Sequence, residues 1–338
     1  MKITPPSAAA REDALARLDG LVKPLGSLGR LEELAAWLSA AHDAVPPREL
    51  ADVRVAVFAG DHGITASAVS AYPREITAAM VQVFLAGTSG VTVLARQVGA
   101  RVKVFDLAVD ADGLPDEVTA YKIRRGSGSI DREDALAPGE ANRAFDAGRR
   151  IADAEIDDGA DLLIPGDMGI GNTTVAAALV AARLGLPAEE VVGTGTGVDE
   201  EGHARKVAAV TAALTRTGDR AEDPFDRLTA LGSACAAATA GFLVQGAVRG
   251  VPVLLDGVFS GAAALVAQDI APGAVDWWLA GHRSTEPSQA HALKALGLEP
   301  ILDLGLRLGE GSGAVQAVPV LRAARAILAE MSSLADLS

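Results

Sequence analysis

Glu310 lies in Leu304-Gly305-Leu306-Arg307-Leu308-Gly309-Glu310-Gly311-Ser312-Gly313, flanked by glycines that leave it unshielded. Apolar Leu306 and Leu308 precede it. A carboxylate at the tip of such a loop suits general-base work, because partial burial raises its pKa towards neutrality. A solvent-exposed turn glutamate is the competing reading. Three further loops have the composition of anion sites. Gly166-Asp167-Met168-Gly169-Ile170-Gly171-Asn172-Thr173-Thr174 follows an apolar run, and Asn172 or Thr173 is its expected helix cap. Gly193-Thr194-Gly195-Thr196-Gly197 offers alternate accessible amides, with Asp199 as the next cap and Lys206 two turns further on. Gly281-His282-Arg283-Ser284-Thr285-Glu286-Pro287 offers Ser284 or Thr285 as a cap. Three helix N-termini on one rim, with a lysine, imply a phosphorylated small molecule.

Other chemistries fit less well. The glycines at 166, 169 and 171 do not give the dinucleotide spacing, and no Lys-Ser/Thr follows to make a P-loop. Asp61-His62 is a carboxylate–imidazole pair, while His42, His203, His282 and His291 are scattered. Neither H-x-x-x-H nor H-E-x-x-H occurs, so no dedicated metal site is expected, and no G-x-S-x-G elbow occurs either. Cys235 is the single cysteine, which excludes an intrachain disulfide. Its small-residue surroundings predict an inert buried thiol.

Something must hold these loops. The chain has 338 residues, 49% apolar but only 4% aromatic, so Ala, Val, Leu and Gly must fill the core. The net charge of −14 argues against nucleic acid or an anionic membrane as partner. The opening Met1-Lys2-Ile3-Thr4-Pro5-Pro6 lacks the apolar core of a signal peptide, and the expected location is the cytoplasm.

Periodicity predicts helices over 8–20 and 28–45, separated by Lys23-Pro24-Leu25-Gly26-Ser27. Strands are predicted at 53–58, 102–106, 162–164, 191–192, 252–255 and 277–279, with an edge strand somewhere in 108–135. Helices are predicted at 91–99, 141–157, 173–183, 200–215, 230–249, 261–268, 287–295 and 315–335. Short apolar strands alternating with helices predict an α/β fold, a Rossmann-like parallel sheet with helices on both faces. Its ligands belong at the carboxyl ends of the strands. The helical termini, 1–48 with 315–338, are expected to form a small domain beside a large one at 49–314.

Taken in order, Lys23–Glu32, Phe58-Ala59-Gly60-Asp61-His62-Gly63, the 166–174 loop, Gly193–Gly197, Gly281–Glu286 and Arg307–Gly313 resemble the signature stretches of the nicotinate-nucleotide–dimethylbenzimidazole phosphoribosyltransferases. The resemblance spans almost the whole chain. It implies a Rossmann-like sheet domain with a helical appendage, a homodimer whose sites borrow from the neighbouring subunit, and no cofactor. Matched motif to motif, Glu310 falls on the catalytic base. Lys206, Ser284 and Gly197 fall on phosphate contacts, and Asp167, Gly169, Gly171, Asn172, Thr173 and Gly195 complete the phosphate and ribose site. Leu308 falls on the wall of the base pocket, with Tyr72 and Met80 in the segment lining the rest. Two residues depart from the pattern: Asp167 stands where relatives have Glu, and Tyr72 where some have a small Ser. The implied substrates are nicotinate mononucleotide and a benzimidazole base. A nucleotide-sensing protein, a hydrolase using Asp61/His62 and an NAD-dependent dehydrogenase are the rival readings.

Overall fold

A computed structural model describes residues 2–337. Six strands build one sheet: β1 (Val53–Gly60), β2 (Arg101–Ala108), β3 (Leu162–Met168), β4 (Val253–Leu255), β5 (Trp278–His282) and β6 (Pro300–Leu302). Their order is β2-β1-β3-β4-β5-β6 and every pairing is parallel. β1 is buried along its whole length, as a strand covered by helices on both faces must be. The order reverses between β1 and β3, and the crevice beyond the carboxyl ends of those two strands is the fold's natural ligand site.

Helices fill the two faces. α1 (Ala8–Asp19) and α2 (Arg30–His42) precede the sheet; α3 (Ile76–Leu85) and α4 (Gly90–Val98) join β1 to β2. α5 (Asp116–Thr119) and α6 (Glu140–Asp157) lead to β3, and α7 (Asn172–Leu184), α8 (Ala188–Val191), α9 (Glu200–Thr217), α10 (Pro224–Leu231) and α11 (Ala234–Arg249) lead to β4. α12 (Val258–Ile270), α13 (Pro287–Leu296) and α14 (Ser312–Glu330) complete the chain. One face is alanine-rich: α6, α7, α11 and α12 pack small side chains against Phe58, Phe105 and Leu163. Gly148 of α6 touches the Ala238 carbonyl of α11 so closely that a Cβ there would stand 1.8 Å from it. The other face packs Val55, Val57 and Ile164 against α4 and α14. α1 and α2 lie in this second cluster through Ala14, Leu18, Leu34 and Leu38, so both termini share a core with the sheet. The chain ends also meet directly: Val22 N–H donates to the Ser332 carbonyl at 3.0 Å and Leu334 N–H to the Gly20 carbonyl at 2.8 Å.

Several expected elements are corrected. Val191 and Val192 are not a strand; Val191 closes the short helix α8, which Pro187 and two glutamates begin. No edge strand forms in 108–135; the far edge is β6, whose three residues were too short and too polar in context to show a period. The helix expected from Ala230 starts at Ala234, because Gly232 ends α10 and the Ser233 side chain accepts the Ala236 N–H to start α11. α3, α5 and α10 were not foreseen.

Candidate active site

Three of the chemistry-bearing loops leave the carboxyl ends of β3, β5 and β6, whereas the 193–197 loop follows α8. Glu310 takes a left-handed backbone, φ +64°, between Gly309 at +80° and Gly311 at +95°. Such a conformation costs a non-glycine residue about 1 kcal/mol or more and concentrates at functional positions. The loop is pressed onto the sheet: a Cβ on Gly166 of β3 would stand 2.2 Å from the Glu310 carbonyl oxygen. The side chain turns to the start of α4, where Oε2 accepts the Val91 N–H at 3.0 Å. Glu310 is buried, and burial raises its pKa, against the Val91 hydrogen bond, with the charge of Asp256 adding to the rise. It is not a solvated turn residue.

Asp256, unremarked in the sequence, organises this corner. It follows β4 and is buried. Its carboxylate accepts the N–H groups of Gly311 at 3.1 Å, Gly313 at 2.9 Å and Ala314 at 3.0 Å, tying down both the Glu310 turn and the first turn of α14. His282 Nε2 stands 3.4 Å from Asp256 Oδ1. Burial alone would lower the His282 pKa, but Asp256 raises it overall. The Asp-Gly pair directly after an apolar strand was the available signal.

Asp167 is the third carboxylate here. Burial first, then the charges of Asp256 and Glu310, push its pKa up to about 7, against the hydrogen bond from Asn172 Nδ2. Asn172 is therefore not the cap of α7. Gly171 occupies that position without a side-chain bond, while Asn172 Oδ1 accepts the Thr173 N–H at 2.8 Å. Gly169 answers a demand of the protein itself: a Cβ there would lie 2.2 Å from the Gly60 carbonyl oxygen and 2.7 Å from His62 Nε2. Gly171, at φ +92°, lies beside Ile64 and Thr65.

A second cluster surrounds Lys206. Its Nζ is fully buried, donating to the Gly193 carbonyl at 2.8 Å and to Thr173 Oγ1 at 3.1 Å. Burial lowers its pKa, and Glu286 works against that. Glu286 Oε1 accepts the Gly195 N–H at 2.7 Å. The start of α7, the 193–197 loop and the start of α13 thus converge. Asp199 caps α9 through the Gly202 N–H at 2.8 Å, as expected. The expected cap of α13 is corrected: Glu286 holds that position, and Ser284 Oγ accepts the Glu286 N–H at 3.3 Å. Arg307 Nη1 donates to the Gly195 carbonyl at 2.9 Å, linking the Glu310 loop to the Lys206 cluster.

The residues expected to line a base pocket are not enclosed by the chain. Tyr72 is 55% exposed and Leu308 56% exposed, with Met80 half-buried on α3. Leu308 leans on the start of α4, its Cδ2 2.5 Å from where a Cβ on Gly90 would be. The 69–72 segment meets the 193–197 loop through the Ala71 N–H, which donates to Thr196 Oγ1 at 3.0 Å.

Asp61 and His62 do not form a working pair. Asp61 Oδ2 accepts the Asp110 N–H at 2.7 Å. Burial pushes His62 down to about 4, so its imidazole is neutral near pH 7. Cys235 is buried, and burial raises its thiol pKa far above the ordinary value. Among the described residues no group of three or more His, Cys, Asp or Glu is arranged to hold a metal ion.

A doubly wound sheet, a base-like carboxylate at its switch point and a neighbouring lysine among helix N-termini define a transferase of phosphorylated sugars; the phosphoribosyltransferase family model DBI_PRT matches residues 3–337. The chain is 55% identical over 334 residues to the nicotinate-nucleotide–dimethylbenzimidazole phosphoribosyltransferase of Mycobacterium avium (strain 104), covering 99% of this chain and 96% of that one. It is 54% identical to the enzyme of that name from Mycobacterium tuberculosis (strain ATCC 25618 / H37Rv), covering 99% and 92%. The crystal structure of CobT from Thermus thermophilus superposes with a TM-score of 0.93 at 46% identity, covering 97% of this chain and 98% of that one. The chain belongs to the nicotinate-nucleotide–dimethylbenzimidazole phosphoribosyltransferase family, and is a pentosyltransferase of Rossmann-like α/β fold.

Proposed function

We propose that the protein transfers the ribose phosphate of nicotinate mononucleotide to 5,6-dimethylbenzimidazole or a related base, giving α-ribazole 5′-phosphate and nicotinate. The observation that carries this reading is Glu310: a strained, buried carboxylate with a raised pKa, at the switch point and one loop away from a buried lysine. The chemistry balances without a cofactor. The unprotonated nitrogen of the benzimidazole attacks ribose C1′ from the face opposite nicotinate. The bond from C1′ to the pyridinium nitrogen breaks, its electron pair returns to that ring, and C1′ inverts. The attacking ring's other N–H becomes acidic, and Glu310 takes that proton. Holding the two rings across C1′ supplies much of the acceleration.

Lys206, Ser284 and the amides of Gly195 and Gly197 are assigned to the 5′-phosphate, and Asp167, Gly169, Gly171, Asn172 and Thr173 to the ribose and its surroundings. Tyr72, Met80 and Leu308 are assigned to the acceptor base. The helical termini, 1–48 and 315–338, are assigned to a small domain through which a homodimer completes its sites. The protein is placed in the cytoplasm, free of membrane. Its most apolar stretch, Ile76–Val98, is broken into α3 and α4, each roughly 15 Å long against a bilayer core of about 30 Å.

The test is incubation with nicotinate mononucleotide and a panel of benzimidazoles and purines. Release of nicotinate matched by a new α-riboside phosphate is expected. Binding without release from every acceptor would instead support the sensor.

A further inference from the structure

His282 ends β5 with its side chain buried, and no step of the transfer uses it. Its Nε2 stands 3.4 Å from Asp256 Oδ1. Neither ring nitrogen has a hydrogen-bond partner among the described residues, so this ion-pair contact is what the ring offers its surroundings. The ring lies against the first turn of α14, where a Cβ on Gly313 would run into its Cδ2. Asp256 Oδ1 also accepts the N–H groups of Gly313 and Ala314, and Oδ2 accepts that of Gly311. The carboxylate is therefore held between an imidazole on one side and the turn that carries Glu310 on the other.

This corner is crowded with carboxyl groups. The charges of Asp256 and Glu310 both act on Asp167, and that of Asp256 acts on Glu310. A buried carboxylate without a cation is costly, and His282 is the cation-forming side chain in contact with this group. The charges facing His282 are Asp256 after β4, Asp303 after β6 and its chain neighbour Arg283, which pairs with Asp303 at 3.4 Å. From α13, Gln289 brings no charge and donates to the His282 carbonyl at 3.0 Å. Burial disfavours the charged ring, but Asp256, and after it the Arg283 backbone and Asp303, outweigh that.

Resting on the transfer reading above, we propose that His282 is a positioning residue for the reaction: as an imidazolium it keeps Asp256 ionised and aimed at the Gly311, Gly313 and Ala314 N–H groups, and so holds Glu310 towards the reacting ring. Two measurements test it. Nitrogen-15 NMR of the histidines in the parent protein, at about pH 7.5, should show an imidazolium that His282→Gln removes; an ordinary histidine, with a pKa of about 6.5, is neutral there. In kinetics, His282→Gln keeps an N–H donor but leaves Asp256 uncompensated. Its turnover is expected to fall about tenfold with the calorimetric Kd for nicotinate mononucleotide retained, and the acid limb of its pH–rate profile to rise by about half a pH unit. Adding Asp256→Asn should bring that limb back down, because the charge that raised it is gone. A neutral His282 in the parent overturns the proposal. So does an unshifted limb, or a loss of nucleotide affinity equal to the loss of turnover, either of which would mark His282 as packing alone. If His282→Gln fails to fold, the parent spectrum decides: no imidazolium at that pH overturns the proposal. A parent that shows the imidazolium yet releases no nicotinate would sink the transfer reading, whereas transfer by a parent with His282 neutral would sink this one.

Discussion

Burial raises the pKa of Glu310, the Val91 N–H opposes it, and the negative charge of Asp256 raises it again. A base with an elevated pKa is the stronger base once deprotonated, at the cost of activity in acid. Glu310→Gln keeps the size and the bond to Val91 but cannot take a proton. Turnover should fall about 10²- to 10⁴-fold with nucleotide affinity retained, as seen by steady-state kinetics beside calorimetry. Near-normal turnover would move the base elsewhere, with Asp167 the next candidate. Asp167 gives a second test, on stability. Its pKa near 7 lies above the value of about 3.9 in an unfolded chain, so the folded state holds a proton that the unfolded state releases. That contribution is complete below about pH 4 and is lost as pH rises to about 7. Asp167→Asn should therefore be more stable than the parent above pH 7, by roughly 1–2 kcal/mol because the side chain is only half-buried, with the gain vanishing towards pH 4. A denaturation series giving the opposite slope would contradict the assignment. Glu310 and Lys206 were legible in the sequence because glycines and a cap marked their loops. Asp256 and Glu286 were not, because their importance lies in backbone amides supplied by segments 55 and 91 residues away.

At the scale of elements, the sequence spoke clearly where apolar runs were long. β1 and β3 read as buried strands because every residue in their centres is apolar. It spoke poorly where context decides: Val191-Val192 looks like a strand until Pro187 and the glutamates place it in a helix turn, and β6 has only three residues. Caps were also misplaced at α7 and α13, because Asn172 bonds Asp167 and Ser284 accepts the Glu286 N–H, each within its own loop rather than at the helix start. Two element contacts predict measurable effects. Asp256 accepts three N–H groups at the start of α14, so Asp256→Ala should destabilise the fold by roughly 2–3 kcal/mol in chemical denaturation. Asp256→Asn retains an acceptor but loses the charge that raises Glu310, so the acid limb of its pH–rate profile should move to lower pH. An unshifted limb would mean that Asp256 acts on structure alone. Gly90 sits where α4 meets Leu308, the residue assigned above to the acceptor base. Gly90→Ala must displace Leu308 Cδ2, a flexible tip, so it should raise the KM for the benzimidazole severalfold and leave that for the nucleotide unchanged.

At the scale of the whole molecule, a chain of net charge −14 repels copies of itself unless an apolar surface holds them together. Such a surface exists where the two termini meet. Leu25 is 74% exposed in the turn between α1 and α2, and Leu337 is 69% exposed at the other end of the chain. Val22 and Leu334 are exposed beside them, on segments joined by the Val22–Ser332 and Leu334–Gly20 hydrogen bonds. Exposed large apolar side chains on two segments hydrogen-bonded to each other, outside the core, are a surface that water penalises and a second copy can cover. The turn carrying Leu25 lies in a segment that supplies none of the site residues assigned within this chain. A homodimer formed through this patch is the expected state. The single change Leu25→Asp, and more strongly the pair Leu25→Asp with Leu337→Asp, should shift the mass measured by light scattering at micromolar concentration from dimer to monomer. Activity should fall with the dimer fraction if the partner's terminal segment completes the site, and should recover as protein concentration is raised. A parent protein that is monomeric and fully active would rule out this assembly. A double variant that stays dimeric would move the interface elsewhere, and the exposed Leu85 and Val93 of α3 and α4 would be the next face to charge.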